Sequence, residues 1–131
     1  MAGWRLYDYL DHRGVNDFEG WSKGLESKYR AMLHRKLKAL EDTEPDLVPG
    51  LLEGPIRGHP HIYKLKIGGK IRLRPLLCKG PIDNNKELTF LMGATERDYK
   101  WDPPNALVVA EARRQEIISN PERRCNHVKV L

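Results

Sequence analysis

The stretch IYKLKIGGKIRLRPL, from Ile62 to Leu76, predicts two β-strands joined at a glycine pair. Apolar and charged residues alternate along both arms, and this two-residue period is typical of a strand with one buried face. The opposite face carries four cations: Lys64, Lys66, Arg72 and Arg74. We therefore predict a basic β-hairpin, and with it a sheet that is mainly antiparallel.

The connection between the two arms sets which residues face each other. A two-residue turn at the glycines would place cations among the core residues, so one face could not be consistently buried. A three-residue connection over residues 68–70 instead pairs Ile67 with Ile71 and Leu65 with Leu73, which a glycine in the left-handed region makes easy. We predict this second register.

In that register Lys66 lies opposite Arg72, and Lys64 lies opposite Arg74. Like charges facing each other destabilise a sheet by an amount comparable to the ~0.2–1 kcal/mol of a favourable cross-strand pair. Two such pairs in succession indicate a surface that holds anions, such as the phosphates of a nucleic acid. The alternative is that acidic residues from the terminal segments fold over this face.

Composition supports one basic domain. The chain has 131 residues, 40% of them hydrophobic, and a formal net charge of +5, which suits a single domain with one modest core. No Asp or Glu occurs from Gly54 to Ile82. This window favours a nucleic-acid partner, with a solvated basic face as the alternative. Its charged and histidine residues are Arg57, His59, His61, Lys64, Lys66, Lys70, Arg72, Arg74 and Lys79.

Hydropathy, the N-terminal residues and the cysteine and histidine spacings indicate where the protein acts and whether it binds a metal. No apolar run approaches the roughly 20 residues that span a bilayer, and the N-terminal residues lack a signal-peptide pattern. We therefore expect a cytoplasmic protein without a membrane partner. Cys78 and Cys125 match no metal spacing and are expected to be free thiols. His59 and His61 lack an evident third ligand, so we expect neither a metal site nor a cofactor.

The remaining segments predict an α+β fold in a single domain over residues 1–131. A first strand lies in WRLYDYL, and the capping box NDFE at residues 16–19 begins a short helix. The segment 25–42 has apolar residues every three or four positions, which indicates an amphipathic helix. Strands are predicted at 62–67, 70–77 and 87–93, followed by a helix starting within WDPPNALVVAEARRQEI. Residues 118–131 form a basic tail without an assigned structure. Two N-terminal helices thus pack on a small twisted sheet with a C-terminal helix.

Four segments, in this order, are similar to one known family. They are YDYLDHRGVNDFEGW at 7–21, KYRAMLHRKLKALE at 28–41, HIYKLKIGGKIRLRPLL at 61–77 and FLMGATERDYKWDPPNALVVAEARR at 90–114. Together they resemble the RelE/HigB superfamily of type II toxin–antitoxin toxins, particularly its phage- and HigB-like branch. The resemblance implies a RelE-like fold and a metal-independent endoribonuclease. It also implies that the enzyme cleaves mRNA, in many members on the ribosome, and that a cognate antitoxin silences it.

The resemblance also implies site residues. Arg72 matches the arginine of the second hairpin strand, a stabiliser of the phosphate, and Lys66 matches a basic residue that shares this role or acts as base. Arg97 takes the second place of a Lys-Lys pair, and Tyr99 is placed to act as acid or to stack on a base. Glu96 departs from the pattern by standing where the first lysine belongs. We expect Glu96 to turn outward; its alternative role is that of the base.

Further cations are predicted to bind nucleic acid without taking part in catalysis: Arg57, Lys64, Arg74, Lys79 and Lys100. Two alternatives stay open. Tyr99 and Trp101 could simply cover the edge of the core. The protein could also be a non-catalytic phage or mobile-element protein of the same fold that binds nucleic acid or a host protein, an interpretation that Glu96 favours.

Overall fold

The computed structural model describes residues 3–43, 52–68, 72–98 and 100–130. In chain order its elements are β1 (Arg5–Tyr9), α1 (Asp17–Lys23), α2 (Ser27–Asp42), β2 (Tyr63–Lys64), β3 (Leu73–Lys79), β4 (Glu87–Arg97), β5 (Lys100–Asp102), α3 (Ala106–Ser119) and β6 (Arg124–Asn126), with a 3₁₀ turn at Pro121–Arg123 between α3 and β6.

One mixed sheet organises the described residues. Its strand order is β2-β3-β4-β1-β6, and β5 pairs with the far end of β4. Only the pairing of β1 with β4 is parallel among these strands, while the others are antiparallel. The predicted α+β class, with helices packed on a mainly antiparallel sheet, is confirmed.

Helices cover both faces of the sheet. On one face, α1 and α2 pack over Leu65, Ile67 and Leu73 in a single apolar cluster. On the other face, α3 packs over a second cluster that includes Leu76 and Leu91. Strand β4 lies between the two layers, so its first six residues are buried without alternation, as expected of a central strand covered on both sides.

Local sequence signals account for the helices. The side chain of Asn16 accepts a hydrogen bond from the backbone N–H of Glu19 at 2.9 Å, so the predicted cap of α1 is confirmed. Gly24 ends that helix. In α2 the buried residues are Tyr29, Leu33, Leu37 and Leu40, which follow the predicted spacing.

The predicted hairpin register is wrong by two residues. Ile67 bridges to Leu73 rather than to Ile71, which lies outside the described residues, and Lys64 is opposite Leu76 rather than Arg74. The connection is therefore longer than the predicted three residues. Because side chains alternate with a period of two, an even shift leaves every residue on its predicted face. Among the described residues, the apolar side chains that were predicted to face inward, Leu65, Ile67 and Leu73, are accordingly buried.

The basic tail, left without an assignment from sequence, adds an edge strand. Strand β6 pairs with β1 in an antiparallel ladder. Beyond it, His127 Nδ1 lies 2.8 Å from a carboxylate oxygen of the fully buried Asp8, and the backbone N–H of Val128 donates to the other oxygen at 3.1 Å. Asn16 donates to that second oxygen at 2.9 Å. These contacts join the tail, the first strand and the cap of α1.

Candidate nucleic-acid interface

Glu96 pairs with two of the four cations of the predicted basic face. One of its carboxylate oxygens accepts a hydrogen bond from Arg74 Nε at 2.9 Å and another from Lys64 Nζ at 3.2 Å. The three side chains are only 15%, 7% and 18% exposed, respectively. The expectation that Glu96 turns outward is therefore wrong, and Arg74 is a buried partner of Glu96 rather than an open phosphate ligand.

A bulge in β4 brings Glu96 onto this face. Leu76 pairs with Met92 and Leu77 pairs with Phe90, so Leu91 is an extra residue in β4. An extra residue reverses the alternation of side chains beyond it. Glu96 consequently points to the side that carries Lys64 and Arg74.

The cations also set the charge state of Glu96. Burial alone would raise the pKa of its carboxyl group, but the hydrogen bonds from Arg74 and Lys64, together with their positive charges, lower the pKa below its ordinary value of 4.5. The carboxylate is thus ionised at neutral pH and is a weak proton acceptor. This weakens the alternative in which Glu96 is the general base.

Glu96 also lines an open groove of about 640 Å³, which lies beside this ion cluster. Arg72 stands just before β3, Arg97 ends β4, and Lys100 begins β5, so three chain segments bring their cations to one concavity. All three side chains are exposed. Within the part of the chain that the structure describes, none of them forms an ion pair or a side-chain hydrogen bond.

The groove also contains an aromatic ring and acids. Trp101 lines it, is partly buried against the α3-side core, and has Lys64 Nζ 5.5 Å from its ring centroid. Asp98 and Asp102 line it as well. Asp98 occupies the turn between β4 and β5 with a φ of 51°, a left-handed conformation that Asp tolerates better than most residues. The groove therefore offers cations, carboxylates and one ring face.

The predicted catalytic residues do not all lie in one site. Arg72 and Arg97 share the groove. Lys66 lines a different depression, against α2, and its Nζ lies 3.2 Å from a carboxylate oxygen of Glu53. Tyr99 lies outside the described residues.

The predicted binding residues are also distributed. Lys100 is in the groove, while Lys64 and Arg74 are held by Glu96. Arg57 is exposed in the turn before β2. Lys79 ends β3 with its Nζ 5.1 Å from the ring centroid of Tyr63.

Sequence reasoning missed two acids that serve the hairpin. Glu96 and Glu53 both lie outside the acid-free window, and neither belongs to a terminal segment, yet each contacts a cation of the window. The sequence offered one signal: Glu96 departs from the pattern of the family that the chain resembles, and an acid beside a basic strand needs a charged partner. The alternative that acidic residues cover the basic face was therefore correct about the acids, but these come from β4 and from the segment before β2 rather than from the terminal segments.

Other chemistries receive no support in the described ranges. No group of three or more His, Cys, Asp or Glu residues there is arranged to hold a metal ion. Cys78 and Cys125 are free thiols, as predicted; burial raises the pKa of Cys78 to about 12, and burial with the nearby Asp8 raises that of Cys125. High pKa values leave thiols poorly nucleophilic. None of the helices described is long and apolar enough to cross a membrane.

Comparisons of the chain with models of known protein families, with curated proteins and with solved structures returned no match.

Proposed function

We propose that the protein is a RelE/HigB-like toxin, a metal-independent endoribonuclease that cleaves RNA in the groove between β3, β4 and β5. One observation carries this proposal: Arg72, Arg97 and Lys100 meet in an open concavity without ion partners among the described residues. Single-stranded RNA offers phosphates for such cations and bases for a ring such as Trp101.

The groove suits attack by a ribose 2′-hydroxyl on the adjacent phosphate. The 2′-oxygen forms a bond to phosphorus, the bond to the 5′-oxygen breaks, and the products carry a 2′,3′-cyclic phosphate and a 5′-hydroxyl. Negative charge accumulates on the phosphorane, where fixed cations stabilise it most. We assign this role to Arg72 and Arg97.

Proton transfer needs a base and an acid. With Glu96 held by two cations and Lys66 in another depression, the carboxylates of Asp98 and Asp102 are the groove's remaining acceptors for the 2′-hydroxyl proton. Tyr99, between Asp98 and Lys100 in sequence, is proposed as the acid that protonates the leaving 5′-oxygen.

The biological setting follows from the same proposal. The substrate is mRNA, free or on the ribosome, and the protein acts in the cytoplasm, where that substrate is found. A cognate antitoxin protein binds and silences it.

A second function, a non-catalytic binder of nucleic acid, is favoured by the ion cluster. Glu96 satisfies Lys64 and Arg74 internally, and these cations would otherwise be available to a scissile phosphate. In this alternative the groove holds RNA without cutting it.

Cleavage of a synthetic RNA in the presence of EDTA separates the two functions. The matched control is the same oligonucleotide with 2′-deoxyribose throughout, which lacks the attacking hydroxyl. We expect cleavage of the RNA with EDTA present, a cyclic phosphate at the new 3′ end, and no cleavage of the control.

Two results would count against an enzyme of this type. If EDTA stops cleavage, the mechanism is wrong. If RNA stays intact both with and without added ribosomes but still binds, the non-catalytic function is correct.

A further inference from the structure

Glu96 and Trp101 lie side by side in the groove between β3, β4 and β5. They are directly opposite each other in the ladder of β4 and β5, and both line the groove. Residues opposite each other in an antiparallel pair share a face. Lys64 lies against both, because its Nζ is 3.2 Å from a carboxylate oxygen of Glu96 and 5.5 Å from the centroid of the Trp101 ring. The groove therefore presents an ionised carboxylate next to an indole ring.

The carboxylate of Glu96 is held in place by its two cations. An ionised carboxylate can accept about four hydrogen bonds. The described residues occupy two of these positions, from Arg74 and Lys64, and both are on the same oxygen. The two positive charges also offset the repulsion that an isolated acid would exert on the phosphates of an RNA chain. The second oxygen thus gives a ligand in the groove a fixed acceptor.

Guanine is the RNA base whose edge suits such an acceptor. Single-stranded RNA is recognised by hydrogen bonds to the Watson–Crick edges of its bases and by stacking on aromatic rings. Guanine presents two adjacent donors on that edge, N1–H and the 2-amino group. Adenine and cytosine present an amino group beside a ring nitrogen that accepts, and uracil presents an N–H between two carbonyl oxygens. Each of these three bases would place an acceptor against the carboxylate, whereas guanine would not.

We propose that Glu96 and Trp101 form a subsite that selects guanine in the RNA bound by the groove. Trp101 stacks on the base, and the second oxygen of Glu96 accepts hydrogen bonds from N1–H and the 2-amino group. Arg72 and Arg97, which line the same groove, hold the flanking phosphates. The subsite rests on the proposed function in taking RNA as the ligand, but it does not depend on cleavage. The family that the chain resembles has a lysine in place of Glu96, and lysine has no acceptor, so this subsite is specific to this chain.

Chemically altered RNA tests the subsite without any change to the protein. The probe is a short oligouridylate with one guanosine at its centre, and 2′-O-methyl groups throughout prevent its cleavage. We expect it to bind about tenfold more tightly than the all-uridine oligomer, a usual discrimination for a good contact of two hydrogen bonds to a base. Inosine in place of guanosine lacks the 2-amino group and should lose most of this preference. 7-Deazaguanosine keeps both donors and should retain it.

A fluorine label and two matched variants locate the guanine. The chain has three tryptophans, of which Trp4 and Trp21 pack in the cluster under α1 and α2 and serve as references. In protein that contains 5-fluorotryptophan, the guanosine oligomer should shift the ¹⁹F resonance of Trp101 and leave the other two unmoved. Glu96→Gln replaces an acceptor by an amide donor and should remove most of the preference for guanosine. Glu53→Gln makes the same change at an acid that contacts Lys66, and should keep the preference.

Three results would overturn the proposal. One is equal affinity for the guanosine, inosine and all-uridine oligomers. Another is a preference that Glu96→Gln leaves unchanged, which would place the acceptor on Asp98 or Asp102. The third is guanosine monophosphate that binds as tightly as the oligomer, which would assign the subsite to a free nucleotide.

Failure of the subsite can be told apart from failure of the proposed function. A preference for guanosine in a protein that leaves ordinary RNA intact would support the subsite and refute the endoribonuclease. Cleavage of RNA by a protein that binds all these oligomers equally would support the endoribonuclease and refute the subsite.

Discussion

At the scale of single residues, Glu96 determines how much of the basic face is open to a ligand. Its carboxylate lies between Lys64 and Arg74, so those three side chains together carry one net positive charge rather than two. Like charges on neighbouring strands are costly, and Glu96 relieves that cost within the fold. Arg72, Arg97 and Lys100, which line the adjacent groove, stay exposed.

Replacing Glu96 by glutamine should destabilise the protein. Two poorly exposed cations would lose their counter-charge, which we expect to lower the free energy of unfolding by about 1–3 kcal/mol at pH 7. Because folding lowers the pKa of Glu96, its stabilisation is fully present above the ordinary value of 4.5. It is lost as the pH falls from there through the lower folded-state pKa. Urea unfolding of both proteins from pH 7 to pH 3 measures the difference.

Glu53→Gln is the matched control for this experiment. Glu53 makes one contact, to Lys66, at the same 3.2 Å that separates Glu96 from Lys64, but the Glu53 pair is exposed and should contribute about 0–1 kcal/mol. Equal losses in the two variants, or a Glu96→Gln effect that persists unchanged at pH 3, would contradict the role assigned to Glu96.

At the scale of elements, the bulge in β4 turns Glu96 towards its cations, and α1 packs closely on the opposite face of the same strand. Trp21 of α1 lies directly over Gly93 of β4, where a Cβ would overlap its indole ring. Trp21 also stacks near Phe18, which in turn stacks on Phe90 with ring centroids 4.7 Å apart. Gly93 is needed because the helix lies this close to the strand.

Gly93→Ala should therefore destabilise the protein by about 1–3 kcal/mol, the usual cost of overpacking a close contact, and should change the tryptophan fluorescence. The control is Gly20→Ala in α1, where an added Cβ meets no atom within 4 Å. Because alanine favours a helix over glycine by about 1 kcal/mol, this variant should gain stability. Thermal unfolding measures both, and a Gly93→Ala protein as stable as wild type would contradict this packing.

Prediction from sequence succeeded where local patterns decide the structure. The cap at Asn16, the apolar stripe of α2 and the alternation in the hairpin arms each need only nearby residues. Prediction from sequence failed where contacts between residues far apart in the chain determine the structure. The bulge at Leu91 depends on how β3 and β4 pair, so the direction of Glu96 was not predictable from alternation. The pairing of the tail strand with β1 likewise depends on Asp8, more than a hundred residues away.

At the scale of the whole molecule, the net charge of +5 attracts nucleic acid. The structure restricts which cations can reach phosphates and so release the counterions bound to the nucleic acid. Arg74 is buried and paired, so substituting it would test folding rather than binding. Arg72 and Arg97 are exposed in the groove. The two groove arginines are therefore the residues to change in a binding experiment.

Affinity for single-stranded RNA should fall steeply with added salt. Each lost phosphate contact reduces the slope of log affinity against log salt by about 0.7, so Arg72→Ala with Arg97→Ala should flatten it by roughly 1.4. The control pair is Lys28→Ala with Lys86→Ala, two exposed lysines elsewhere on the molecule. Titrations at several salt concentrations provide the slopes, and equal flattening in both double variants would place the RNA elsewhere.

The most direct test of the central claim, that RNA is cleaved in the groove, is the single-turnover cleavage rate at saturating protein, wild type against Arg72→Ala. The negative charge that Arg72 stabilises is greatest in the transition state, so its loss should affect the rate more than the affinity. We predict a rate lower by about 10²–10³-fold, an RNA affinity changed less than about tenfold, and little change in either with Lys28→Ala. Cleavage by Arg72→Ala at the wild-type rate would contradict the claim.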